Sequence, residues 1–170
     1  MLIGNPESFA TEFELNNNYG GAWMFGRFCY WINGARIGDY ESGASLRDVL
    51  FLIEDLVRDQ GNRSNKNLFM LDYKEFFNRL NEALYGDSSK YDSIAIEETW
   101  AQFNVCPPID IFDNWKIFMV EYKNKARLVV NNLASEEIWE STIKAGEFDD
   151  VIFRTYKTLD EVYEKESLSE

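Results

Sequence analysis

The chain has 170 residues, 45% of them hydrophobic and 16% aromatic, so it can bury a substantial core and lacks the composition of an intrinsically disordered protein. Its net charge of −13 opposes direct binding to nucleic acid phosphates or anionic lipids and makes a basic protein the better partner. The sequence contains no histidine, which excludes Ser-His and Cys-His pairs and histidine metal sites.

The sequence carries no recognisable export or membrane signal. Its first basic residue is Arg27, so no positively charged segment precedes an apolar one, and no apolar run approaches the roughly eighteen residues of a membrane span. Cys29 and Cys106 are too few for a disulfide scaffold and indicate two reduced thiols. We therefore expect a cytoplasmic protein with no membrane partner and a single domain over residues 1–170.

The first third of the chain predicts a meander of three strands. Residues 8–15 alternate apolar and polar side chains, as a half-buried strand does. Asn33-Gly34 favours a type I′ hairpin turn, because both central residues of this turn need φ > 0. The turn fixes the register and gives these opposed pairs: Ile32 with Ala35, Trp31 with Arg36, and Tyr30 with Ile37.

The hairpin has two unlike faces, because side chains alternate along a strand. The first face is apolar and is expected to be core: Phe28, Tyr30, Ile32, Ala35 and Ile37. The second face is aromatic with two arginines: Trp23, Phe25, Arg27, Cys29, Trp31, Arg36 and Tyr40. A strand that is apolar on both faces usually lies between two layers, so we expect the second face to be buried. The alternative is an interface with a partner protein or a second copy of the chain.

Two helices follow from their caps and periodicity. Ser45 with Asp48 three residues on is an N-cap signature, and residues 46–57 carry one apolar stripe. Asp72 begins the second helix, which ends at Gly86. The intervening residues 62–67 are interpreted as a polar loop.

The C-terminal half predicts a second antiparallel meander closed by a helix. Within residues 87–114 periodicity is mixed, and a short helix is favoured over a strand at 93–105. Further strands are predicted at these positions: 115–122, 127–131, 137–143 and 150–156. Thr158 is predicted to cap the last helix. The expected fold class is therefore α+β, with antiparallel β-meanders and helices packed on one side.

Only carboxylates offer catalytic chemistry. Asp110 with Asp113, or Asp149 with Asp150, could hold a divalent cation or act as acid and base, which would make the chain a metal-dependent hydrolase. With 30 acidic residues such pairs arise readily by chance, and no glycine-rich phosphate loop is present. We predict no enzyme activity, metal or cofactor. The alternatives are that hydrolase and a small-molecule-binding domain that uses the aromatic face.

Two stretches resemble a known family. The segments IGNPESFATEFEL and WMFGRFCYWINGARIGDYESGASLRDVL resemble immunity proteins of bacterial polymorphic toxin systems, in particular the immunity protein 42 family. The motifs FCYWING, IGDY and SLRDVL occur in order at the family's spacing over roughly the first sixty residues. The resemblance implies a protein encoded beside a secreted toxin that it binds and neutralises, and no family active site carries over.

The resemblance suggests two candidate toxin-binding sets. One is the aromatic face of the hairpin. The other belongs to residues 135–170, which hold 11 acidic and 4 basic residues and could steer onto the basic cleft of a toxin that attacks nucleic acid. Its candidates are Glu136, Glu137, Glu140, Glu147, Asp149 and Asp150.

Overall fold

A computed structural model describes residues 1–168 of the chain, so the last two residues of the acidic segment, Ser169 and Glu170, lie outside it. Two antiparallel sheets pack together with helices, which confirms the α+β class and the β-meanders. The first sheet has the order β1-β2-β3-β4, and β5 also pairs with β3. Its strands are β1 (Leu2–Gly4), β2 (Phe9–Leu15), β3 (Phe25–Ile32), β4 (Ala35–Ile37) and β5 (Ala44–Ser45).

The second sheet has the order β6-β7-β8. Its strands are β6 (Trp115–Tyr122), β7 (Lys125–Asn132) and β8 (Glu137–Lys144). The α-helices are α1 (Leu46–Arg58), α2 (Lys66–Phe69), α3 (Tyr73–Tyr85), α4 (Asp92–Glu97) and α5 (Glu147–Ser167). Short 3-10 helices span Gly21–Trp23, Tyr40–Ser42, Trp100–Phe103 and Asp110–Phe112.

The predicted hairpin register is confirmed. Asn33 and Gly34 have φ of 50° and 76°, and Trp31 lies opposite Arg36 as the turn requires. The predicted caps are also present, because Ser45 accepts a hydrogen bond from the Asp48 N–H and Asp72 from the Lys74 N–H. Short-range turn and cap chemistry therefore fixes both features locally.

The main core lies between the inner face of the first sheet, one face of the second sheet, and α1 with α5. Its fully buried members include Phe9, Phe28, Tyr30, Ile53, Met119, Leu128 and Phe148. A smaller cluster covers the other face of the second sheet and includes Phe77, Leu80, Trp100, Phe118 and Val129. Of the predicted core face only Ala35, beside the turn, is exposed. The inner side of the first sheet therefore carries the main core.

Three predictions in the middle and at the end of the chain are wrong. Residues 150–156 are not a strand but the first half of α5. Thr158 is not a cap, because it lies inside that helix and donates its hydroxyl hydrogen to the Arg154 carbonyl at 2.8 Å. The 62–67 loop contains the start of α2, whose cap is Asn65. In the 93–105 region the favoured short helix is confirmed by α4, which is followed by a 3-10 helix.

Candidate functional site

Within residues 1–168, no further layer covers most of the outer face of the first sheet, so the prediction that this face is buried is wrong for most of its residues, and only Cys29 and Tyr40 among the predicted set are buried. Trp23 and Phe25 are 50% and 45% exposed, Arg36 is exposed, and Arg27 and Trp31 are partly exposed. The helices α1 and α5 pack on the inner side of β2 and β3, where the side chains are apolar apart from Thr11 and include no arginine. We call the outer set the open face: Trp23, Phe25, Arg27, Trp31, Arg36 and Tyr40.

Aromatic rings and arginines alternate across the open face. The guanidinium carbon of Arg36 lies 5.1 Å from the Trp31 ring centroid and 4.8 Å from that of Tyr40. Arg27 also contacts Tyr40, because its guanidinium carbon lies 5.8 Å from the Tyr40 ring centroid. A guanidinium nitrogen of Arg27 forms an ion pair with the Glu41 carboxylate at 3.6 Å. These contacts hold Arg36 between two rings and pre-organise its side chain.

A second aromatic group lies at one end of the open face. The rings of Trp23 and Phe25 are stacked with centroids 6.1 Å apart, and the guanidinium of Arg47 lies 3.7 Å from the Trp23 ring centroid. Arg47, which the sequence analysis did not single out, is the second residue of α1. Its position in the first turn after the Ser45 cap, beside the hairpin, was the signal that could have linked it to this face.

Glu12 is the second residue that the sequence analysis missed. Its carboxylate accepts a hydrogen bond from the Trp31 indole N–H at 2.8 Å, and it lies opposite the fully buried Cys29 in the strand register. Burial, followed by the nearby Glu12 charge, raises the pKa of the Cys29 thiol to about 12. The thiol therefore stays protonated at neutral pH. The alternation of residues 8–15, which put Glu12 on the polar side, was the available signal.

The acidic candidates do not form one site. Glu136 and Glu137 are exposed at the start of β8. Glu140 pairs with Arg127 at 3.1 Å, and Asp150 pairs with Arg154 at 3.0 Å. Glu147 accepts hydrogen bonds from the Ser8 hydroxyl and the Lys144 backbone N–H. Their charges remain on the surface, but three of the five already have partners in the chain.

Asp149 belongs to the interior, so its carboxylate is not available on the surface to a partner. It is 7% exposed, pairs with the fully buried Arg63 at 2.8 Å, and accepts a hydrogen bond from the Gly61 N–H at 2.9 Å. Because the Arg63 pair and the Gly61 hydrogen bond engage its oxygens, Asp149 is a structural residue.

Comparisons with known proteins decide the family. The family model described as immunity protein 42 matches residues 1–157. The chain belongs to the immunity protein 42 family. The match extends the resemblance well beyond the first sixty residues. The fold of the chain is similar to the crystal structure of CdiI from Burkholderia dolosa, with a TM-score of 0.74 and 21% sequence identity. The similarity covers 93% of this chain and 99% of that chain. No curated protein matches significantly.

The carboxylate pairs considered for metal-dependent hydrolysis do not belong to a metal-binding cluster in the described part of the chain. Within residues 1–168, no group of three or more His, Cys, Asp or Glu side chains is placed to hold a metal ion. Asp110 begins a short 3-10 helix, Asp113 directly follows it, and both are exposed. A pocket of about 360 Å³ borders the open face at Phe25. None of the helices in residues 1–168 is long and apolar enough to span a membrane.

Proposed function

We propose that this immunity protein, which neutralises a cognate toxin of a bacterial polymorphic toxin system, binds that toxin through the open face. The observation that carries the proposal is an uncovered sheet face on which Trp31, Arg36 and Arg27 form one contact row through the buried Tyr40 ring. Trp, Tyr and Arg are the residues enriched in binding hot spots, and such residues act best when a partner excludes water from them. The immunity protein would act by covering its toxin, without enzyme activity, in the cytoplasm.

The net charge suggests what kind of toxin is bound. A charge of −13 attracts a basic protein over distances of about a Debye length and repels nucleic acid. Toxins that cleave nucleic acid need a basic cleft for the phosphates. We therefore propose that the toxin is a basic nuclease. The acidic surface of the immunity protein would attract the toxin, and the open face would then bind it.

The test uses the toxin domain encoded by the adjacent reading frame. The wild-type protein should bind it and protect cells that express it. Trp31→Ala should weaken binding by about 2 kcal/mol, roughly 30-fold, because a partly exposed hot-spot ring is lost. A matched control is Phe153→Ala, which removes an aromatic side chain that is 40% exposed on α5, away from the open face. Its affinity should stay within about twofold of wild type.

Three results would count against parts of the proposal. A large fall in the melting temperature of Trp31→Ala with unchanged affinity of the folded fraction would show that the ring serves folding only. A toxin domain that binds but cleaves neither DNA nor RNA would remove the nuclease assignment alone. A stable homodimer in sedimentation, dissociated by Trp31→Ala, would assign the open face to self-association.

A further inference from the structure

In the described part of the chain, Arg36 differs from every other arginine in lacking a carboxylate partner. Within residues 1–168, each of the others has a carboxylate oxygen within 3.6 Å of a guanidinium nitrogen. Over the same residues the Arg36 side chain makes no ion pair and no hydrogen bond, and its contacts are the two rings. In a chain with 30 acidic residues this exception needs an explanation.

The Glu12 and Glu41 carboxylates around the open face form their contacts with residues other than Arg36. The Glu12 carboxylate is engaged by the Trp31 indole N–H at 2.8 Å, and Glu41 pairs with Arg27. The Cys29 thiol is close enough to interact with the Arg36 charge, yet burial keeps its pKa at about 12, so it is not a thiolate at neutral pH. Within residues 1–168, Arg36 therefore has no direct ion-pair partner, although the Glu12 charge lies on the same face.

The two rings prepare this guanidinium for one kind of ligand. Trp31 and Tyr40 restrict its rotamers, so less conformational entropy is lost when a partner binds. The five N–H donors remain unused, and their planar fork matches the two oxygens of a carboxylate. A partner that covers the rings also removes water from the pair, which strengthens it.

We infer that Arg36 binds a carboxylate of the toxin, from an Asp or Glu side chain, in a bidentate pair flanked by Trp31 and Tyr40. The inference rests on the proposed function. It assigns to the toxin an acidic residue beside an apolar patch, even though the toxin as a whole is basic. A nucleic acid phosphate would fit the same fork, but the net charge of −13 opposes it. A second copy of the chain brings carboxylates as well, but it also brings the same repelling charge.

The experiment measures the kinetics of binding between the toxin domain of the adjacent reading frame and three variants. Arg36→Glu should weaken binding at least about 100-fold, mainly through faster dissociation, because two carboxylates then oppose each other. Arg36→Lys keeps the charge but loses the fork, and should weaken binding about tenfold. Arg58→Glu is the matched control, because Arg58 is 69% exposed on α1, which covers the opposite side of the sheet. Its effect should stay within about threefold.

A reciprocal change in the toxin identifies the partner group. One Asp→Lys or Glu→Lys substitution in the toxin should restore binding to Arg36→Glu while it weakens binding to wild type. If Arg36→Glu and Arg36→Lys bind as tightly as wild type, the carboxylate pair does not exist although the proposed function stands. If wild type neither binds nor protects, the proposed function fails and this inference falls with it. Arg36-dependent binding to a DNA or RNA oligonucleotide, or a dimer that Arg36→Glu dissociates, would replace the toxin carboxylate with a phosphate or a second copy.

Discussion

Two arginines beside aromatic rings occupy opposite settings in this protein. Arg63 is fully buried and donates to the Asp149 carboxylate at 2.8 Å, the Gln102 carbonyl at 2.7 Å and the Leu56 carbonyl at 2.9 Å. Arg36 is exposed between two rings and makes no such hydrogen bond within residues 1–168. The fold thus provides an acceptor for each nitrogen of the first guanidinium and leaves the second available.

The Arg63 node, formed by Arg63, Asp149, Gln102 and Leu56, joins distant parts of the chain. It connects the end of α1, the Trp100–Phe103 3-10 helix and the start of α5. Burial lowers the pKa of the Arg63 guanidinium, and the Asp149 charge opposes that shift. A buried charge is tolerated only when all of its partners are present, so the node serves structure while the open face is free to serve binding.

The largest expected effect comes from breaking the node. Asp149→Ala leaves the Arg63 charge buried without its counter-ion, and should lower the free energy of unfolding by about 3–5 kcal/mol. Urea denaturation measures this loss. Toxin affinity, determined at a temperature where the variant is still folded, should be unchanged. If Asp149→Ala keeps its stability but loses toxin affinity, Asp149 belongs to the binding site and not to the structural node.

A pH titration of stability probes Cys29, which is buried on the outer side of the first sheet beneath its neighbours. The pKa of Cys29 is raised to about 12, so the folded protein holds this proton more tightly than the unfolded chain. Its contribution is fully present below about pH 9 and is lost as pH rises from 9 towards 12, at up to about 1.4 kcal/mol per pH unit.

Cys29→Ala isolates that contribution from other groups that titrate in alkali. The difference in unfolding free energy between wild type and Cys29→Ala should be constant from pH 6 to 8 and should shift against wild type above pH 9. A difference that does not change up to pH 11 would show that the thiol ionises normally and that the open face admits water to Cys29.

The sequence predicted those features that nearest neighbours determine. Asn33-Gly34 fixed the hairpin register because its turn geometry is local, and Ser45 and Asp72 capped their helices for the same reason. The strand predicted at residues 150–156 was wrong because β-branched residues favour strands, and this segment contains Val151, Ile152 and Thr155. Their packing with Phe148 and Leu159 on one helical face shows the period only over a longer window.

The sequence predicted which residues form the open face, but it did not predict that most of them are exposed to solvent. The residues of the open face follow from strand alternation, yet alternation does not say which layer covers a face. Arg27 and Arg36 were the available signal, because unpaired charges are rarely buried. The node was not predictable, because Arg63 lies in a polar stretch 86 residues from Asp149 and nothing nearby marks either residue as buried.

Removal of the guanidinium from the open face should affect stability far less than breaking the node. Arg36→Ala loses two cation–π contacts at an exposed position, which should lower the free energy of unfolding by about 1 kcal/mol. Chemical denaturation of Arg36→Ala and Asp149→Ala under the same conditions compares their losses of unfolding free energy directly. A loss as large as that of Asp149→Ala would mean that Arg36 is a second structural arginine, and the assignment of the open face to binding would weaken accordingly.

The smallest expected effect concerns the acidic surface, which should act on association alone. Glu136→Gln with Glu137→Gln removes two exposed charges at the start of β8, and should lower the association rate of a basic toxin about two- to threefold at low salt. Dissociation should not change, because these residues lie outside the open face. Near 1 M salt, where charges are screened over about 3 Å, the difference from wild type should vanish.

Lys144→Gln, which removes an exposed positive charge at the end of the same strand, should raise the association rate by a similar factor. If both changes alter dissociation rather than association, the β8 region contacts the toxin directly, and the open face is then only part of a larger interface.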